Sequence, residues 1–308
     1  MALRQMGYIE FPAHQKSGGF DHAAVHQRTA RLYVAHTAND AIDVMDCTSD
    51  RYLRSIPNLT GVAGVLASDE RNLIFTSNRG ENTIGVFSPD DESNVVKVNA
   101  GMRPNGLAYD PTRHLLLAAN VGDPAMAGSF TVSMVDVERR TLIGDIPMPG
   151  RTRWAIYDPQ ARVFYVNIAD PAQIIVIDAN TPTQVSNVIN IPVAGPHGLD
   201  LDLRHHRLFC ACDAKRLVTC AADSHEVLSQ LDLSGAPDVI FFNAARERLY
   251  VAIGNPGVID VFDTAAMKRI QVVPTESGAH TIGFAADRNK VYAFLPQTHR
   301  AAVYVDQS

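Results

Sequence analysis

The strongest constraint on this chain is that it copies itself. An apolar run, a polar turn and a second apolar run begin at Asp21 (DHAAVHQRTARLY), Ala63 (AGVLASDERNLIF), Asn105 (NGLAYDPTRHLLL) and Arg153 (RWAIYDPQARVFY). The pattern returns at His197 (HGLDLDLRHHRLF), Asp238 (DVIFFNAARERLY) and His280 (HTIGFAADRNKVY). Eleven residues after each start stands an apolar residue (Leu32, Ile74, Leu116, Phe164, Leu208, Leu249, Val291), and the one after it is Tyr, Phe or Leu. Successive starts are 42, 42, 48, 44, 41 and 42 residues apart, the long interval being enlarged by GDPAMAGS at Gly122 to Ser129. A period of about 40–45 residues made of short strands is that of a four-stranded propeller blade.

Each repeat reads as four strands. GLAY is of the first kind (A), LYVAH and FYVNI of the second (B), AIDVMD and IIVID of the third (C), and LRSIP and VINIP of the fourth (D). These runs are short, β-branched and bounded by Gly, Asn, Asp and Pro, and no segment sustains a 3.6-residue period with caps. The seventh repeat ends after strand C at AAVYVDQS, whereas MGYIEFP near the start resembles a strand D with no repeat of its own. Pairing the two closes a ring and removes two sheet edges. The expectation is an all-β, single-domain chain over residues 1–308: a seven-bladed β-propeller of four-stranded antiparallel blades, its last blade closed by the N-terminal strand. An open solenoid would call for atypical capping repeats, and there are none.

The units LYVAH…DAIDVMD, FYVNI…IIVID and LYVAI…VIDVFD resemble the YVTN-type β-propeller repeat across residues 21 to 308. Gly-His and Trp-Asp pairs are missing, unlike WD40 repeats, and Trp154 is the only tryptophan. RPNGLAYD and APDVIFF resemble, over a few residues, the metal-ligand turns of gluconolactonase/senescence-marker-protein and paraoxonase-like (lactonase) propellers. That likeness implies a metal-dependent hydrolase. It departs from those families at His197, where they carry a second Asn, and at Asp21, where they carry Glu.

Propellers set strand A of every blade around a central channel, so the aligned first column faces the channel mouth. That column reads Asp21, Ala63, Asn105, Arg153, His197, Asp238 and His280. Packing alone would favour small apolar residues, yet six of the seven are polar or charged. Counted around the closure, Asp21, His197, Asp238 and His280 form an arc of two imidazoles and two carboxylates, a donor set for a divalent metal. Mixed nitrogen and oxygen donors favour zinc over calcium or manganese. The competing reading is a polar plug of hydrogen-bonded side chains and water.

If a metal is held there, it lowers the pKa of its water and polarises a carbonyl or phosphoryl group. Arg153 would then steady a developing oxyanion, with His22 and His36 as candidate general bases. Asn105, Arg103 and Arg151 are candidate substrate contacts at the same rim. The function expected is a hydrolase of lactones or esters, with promiscuous activity toward phosphotriesters. The alternatives are a propeller that binds a small anion or a protein loop without turnover, and a metal-assisted lyase. The Gly122 to Ser129 insertion either covers the mouth or decorates its rim.

Other classes are disfavoured. The net charge of −6 argues against nucleic acid or an anionic membrane as the main partner, leaving a small molecule. MALRQMGYIEF lacks the apolar core of a secretory signal, and no apolar run approaches the ~18 residues of a membrane span, so a cytoplasmic location is expected. Four cysteines do not make a disulfide framework in a chain of this length, and Cys210 and Cys212 share a strand face as small apolar residues. No G-x-S-x-G or H-E-x-x-H motif occurs. The oligomeric state is left open.

Overall fold

The computed structural model describes residues 2–307, and it is a seven-bladed β-propeller. Seven four-stranded antiparallel sheets follow one another in chain order, and the only helical structure among the described residues is three short 3-10 turns. Strand A of each blade, at Ala23–His26, Val62–Ser68, Pro104–Asp110, Thr152–Asp158, Pro196–Asp202, Ile240–Asn243 and Thr281–Ala285, touches strand A of the blades on both sides, so the inner ring is closed. No helix is long and apolar enough to cross a membrane.

The closure is the one the incomplete seventh repeat requires. Leu3–Glu10 lies antiparallel on Arg300–Asp306, with Leu3 opposite Asp306 and Glu10 opposite Arg300. The first strand of the chain is thus strand D of the last blade, and hydrogen bonds between the chain ends hold the ring shut.

Burial decreases outward within a blade. Strand B is enclosed on both faces, as at Leu208 to Cys212, whereas strand D alternates toward solvent, as at Arg51–Ile56. The aromatic column on strand B, strong in the sequence, ties four of the seven blades to the next. Tyr33 donates to Glu92 (2.7 Å), Tyr165 to the Ala222 carbonyl (3.3 Å), Tyr250 to Asp306 (2.5 Å) and Tyr292 to Asp50 (2.9 Å). Each acceptor belongs to the neighbouring blade, so the ring of a fully buried tyrosine fills its blade while the hydroxyl is satisfied across the gap.

The repeated Asp at the end of strand A also has a local cause. Asp110, Asp158 and Asp202 each accept two backbone N–H groups of the following turn, which makes the tight A–B corner. His205 and His206 lie in one such corner, exposed at the rim opposite the channel mouth. Cys47, Cys210, Cys212 and Cys220 are buried free thiols, with the Cys210 and Cys212 sulfurs 3.8 Å apart on one face.

Candidate functional site

The start of every strand A opens on the same end of the channel, and the neighbours of the column residues there are short of space. A Cβ on Gly106 would stand 2.5 Å from the Arg153 carbonyl oxygen, and one on Gly198 2.4 Å from that of Asp238. Glycine after the column residue lets adjacent inner strands approach, which is why Asn-Gly and His-Gly recur. Blades one and four place His22 and Trp154 at that position instead. Their rings meet with centroids 4.2 Å apart and form a waist inside the channel. Trp154 packs against the cores of both the blade four–five side and the blade six–seven side, so it spans the bore.

Above the waist, the column residues join into one charged network. His197 is its centre: Nδ1 donates to Asp213 (2.8 Å) and Nε2 lies 3.2 Å from Asp238. Burial pushes the His197 imidazole down, but the Asp238 charge and the hydrogen bonds to Asp213 and Asp238 outweigh it and raise its pKa to about 9. Burial alone would raise Asp238, yet His197, His280 and His22 hold it well below the usual carboxylate range. His280 Nε2 reaches within 3.9 Å of Asp238 while its Nδ1 donates to the Gly278 carbonyl (2.7 Å). His197 is therefore an imidazolium at neutral pH.

Arg153 contacts Asp213 (3.3 Å) and stands 3.2 Å from His197 Nε2. Two cations, Arg153 and His197, thus share Asp213, and His197 alone of the two also reaches Asp238. On the other side of the mouth, Arg79 joins Asp21 (3.4 Å) and donates to the Asn105 side-chain oxygen. His22 sits between the halves, its Nε2 3.4 Å from Asp21. Burial lowers its pKa more than Asp21 and Asp238 raise it, so it is a neutral imidazole.

These pairings leave a surplus of positive charge. Arg103 reaches only the Gly122 carbonyl (3.4 Å), and Arg151 has no acidic partner among the described residues. Burial first, then the charges of Arg153, Arg79 and Arg103, lower the Arg151 pKa, so four guanidinium groups are close enough to act on one another. The carboxylates of the network balance Arg79, Arg153 and His197, and Arg103 and Arg151 remain.

The structure thus brings Asp21, His22, Asn105, Arg153, His197, Asp238 and His280 to the mouth, with Arg103 and Arg151 at its rim. Asp21 is turned to Arg79 and His22, whereas His197, Asp238 and His280 are linked to one another. Among the described residues no group of three or more His, Cys, Asp or Glu side chains is arranged to hold a metal ion. His36 does not join the mouth. The end of strand B turns into the blade, and His36 is enclosed there, bonded to Asp43 (2.6 Å) and His14 (2.7 Å). The equivalent Asn78 and Asn120 turn the same way, to Thr83 and Ser133. The Gly122 to Ser129 insertion is a loop on the mouth side, folded on itself through Asp123 and Ser129.

Two members of the network, Arg79 and Asp213, lie outside the first column. Both occupy the position just after strand B, where the other blades have Thr37, Val121, Ala169, Gly254 and Pro296. A second aligned column, charged in only two blades, was the signal for them.

No protein-family model matches the chain, and no curated protein matches it by sequence. Solved structures do match its shape. A chain of hydrazine synthase from Kuenenia stuttgartiensis superposes with a TM-score of 0.81 at 11% identity, covering 96% of this chain and 98% of its own. A chain of a mitotic checkpoint complex superposes with a TM-score of 0.83 at 9% identity, covering 99% of this chain and 92% of its own. At such identities the likeness shows the propeller architecture alone.

Proposed function

We propose that the channel mouth binds a small molecule through a carboxylate or phosphate group. The observation that carries this reading is the pair Arg103 and Arg151, left without acidic partners beside two guanidinium groups already fixed by Asp21 and Asp213. Guanidinium groups present planar pairs of donors that match carboxylate and phosphate oxygens. Arg153, Arg79 and the imidazolium of His197 are preorganised by their own carboxylates, so little order is lost when an anion arrives. Titration calorimetry with inorganic phosphate and with citrate tests it. Arg151→Ala should weaken the better of the two at least tenfold, and undiminished affinity in that variant overturns the reading.

Turnover is a second reading of the same mouth, favoured by one arrangement: a neutral imidazole, His22, close to the His197 imidazolium, with Asp238 acting on both. An acceptor and a donor of protons side by side suit hydrolysis of a lactone or ester, Arg153 steadying the oxyanion. A divalent metal on Asp21, His197, Asp238 and His280, zinc ahead of calcium or manganese, remains the proposal drawn from the sequence and its lactonase-like turns. It requires His197 to release its proton first. Lactone hydrolysis measured on chelator-treated protein, with and without added zinc, separates a metal-dependent hydrolase from an anion-binding propeller.

A further inference from the structure

We propose that the channel below the waist is a second ligand site, which takes a small organic cation: an ammonium group on a compact apolar body. A cavity of about 540 Å³ runs from His22 and Trp154 to the opposite rim at Glu70, Pro159 and Leu203. That volume lies within the range of small-molecule pockets. Its wall is apolar and aromatic, with Trp154, Tyr157, Tyr109 and Phe241 among the side chains, and no Lys or Arg lines it.

Three carboxylates do line it, Asp69, Glu70 and Asp200. Asp69 is occupied at the rim by the backbone N–H groups of Gln27 and Arg28 and by His26 at 3.6 Å. Asp200 is different. It lies three residues beyond His197 along the strand, about 10 Å inside the mouth at ~3.3 Å per residue. Its oxygens accept from the backbone N–H groups of Phe242 (2.6 Å) and Leu201 (2.8 Å), and no cation pairs with it among the described residues. Those two bonds fix the carboxylate at the channel wall and leave each oxygen a free lone pair.

A carboxylate held in apolar surroundings without a counter-ion is unfavourable, and burial accordingly raises the Asp200 pKa to about 6. An ammonium group relieves that cost directly. Aromatic faces add cation–π attraction, which desolvation strengthens. No Lys or Arg side chain stands on the wall to repel a cation, and the imidazole of His22 is confined to its inner end. The lining thus differs across the waist, with a surplus of guanidinium groups at the mouth and carboxylates but no guanidinium on the cavity wall.

The only tryptophan of the chain stands at the inner end of this cavity, which supplies the readout. The test titrates the protein with cyclohexylammonium at neutral pH, following Trp154 emission and, in parallel, heat by calorimetry. Cyclohexanol is the neutral control. Saturable binding of the ammonium, at least tenfold tighter than the alcohol, is the expected result. Asp200→Asn should remove that preference while leaving phosphate binding at the mouth unchanged, and Ala67→Phe, which narrows the bore, should weaken both probes. No heat and no emission change, equal affinity for alcohol and ammonium, or an unaltered preference in a folded Asp200→Asn protein overturns the proposal.

Discussion

Replacing His197 by Gln tests the charged network at its centre. In the folded protein this imidazole titrates near 9, against about 6.5 when unfolded. At ~1.4 kcal/mol per pH unit the difference corresponds to about 3.5 kcal/mol of pH-dependent stability. The figure is an upper one, because Asp213 keeps 37% of its side-chain surface in contact with water. A raised folded pKa means that the native state binds the extra proton. Its contribution is therefore complete below about pH 6.5 and is lost as the pH rises through 9. Asp238 stays ionised throughout this window, since its carboxyl is held low. Urea unfolding of the parent and of His197→Gln should therefore show a gap that narrows by up to about 3.5 kcal/mol between pH 6 and pH 10. Imidazole NMR should place the His197 midpoint well above 6.5. A midpoint at or below 6.5, or a gap constant with pH, would refute the reading of His197 as an imidazolium shared by two carboxylates.

Zinc that binds through His197 must displace its proton, so zinc affinity measured by competition with a chelating dye should rise about tenfold per pH unit between 7 and 9; affinity independent of pH would mean that other ligands hold the ion. Tyr250→Phe removes a hydroxyl that donates to Asp306 across the blade six–seven gap and should lower stability by about 1–3 kcal/mol in urea titrations, whereas an unchanged midpoint would show the contact to be idle. Deleting residues 2–10 exposes the edge of Arg300–Asp306 and should produce concentration-dependent association and a lower melting temperature by light scattering and calorimetry; a monodisperse protein with the parental melting temperature would contradict closure by the N-terminal strand.

The architecture was legible because each blade is a local unit, repeated. Strand order and the aromatic column recur within about forty residues, so seven copies average out the noise of any one. The closure was equally plain, since a repeat missing its last strand and a spare strand at the other end fit each other. The mouth was legible only in part. The first column gave its residue types, because they face one another by symmetry. The sequence pattern could not show that His197 would turn to Asp213 on the adjacent B–C turn, nor that Asp21 would be joined to Arg79. Those pairings depend on side-chain rotation and, for Asp21 with Arg79, on contact between blades, and no spacing encodes either. His36 illustrates the converse: its place at the end of strand B suggested the mouth, but the pleat directs that position into the blade, toward Asp43.

The waist shows how a repeat can carry function without breaking its scaffold. The position after the column residue is Gly in blades two, three and five, where neighbouring backbones leave no room for a side chain. Blades one and four escape that limit, and they alone place large rings there, His22 and Trp154, which meet across the bore. Two substitutions in seven copies therefore divide one channel into two chambers. The upper chamber inherits the polar column, and with it the surplus of guanidinium charge. The lower one inherits the side chains further along strand A, which in ordinary blades are apolar because they fill the ring. Asp200 is the one charged side chain that a strand A gives to that wall, and no cation pairs with it among the described residues. Two chambers of opposite sign, separated by one pair of rings, should then respond independently: widening the waist by Trp154→Ala should couple them, so that bound phosphate changes the affinity for the ammonium probe, whereas in the parent protein each should bind as if the other were absent.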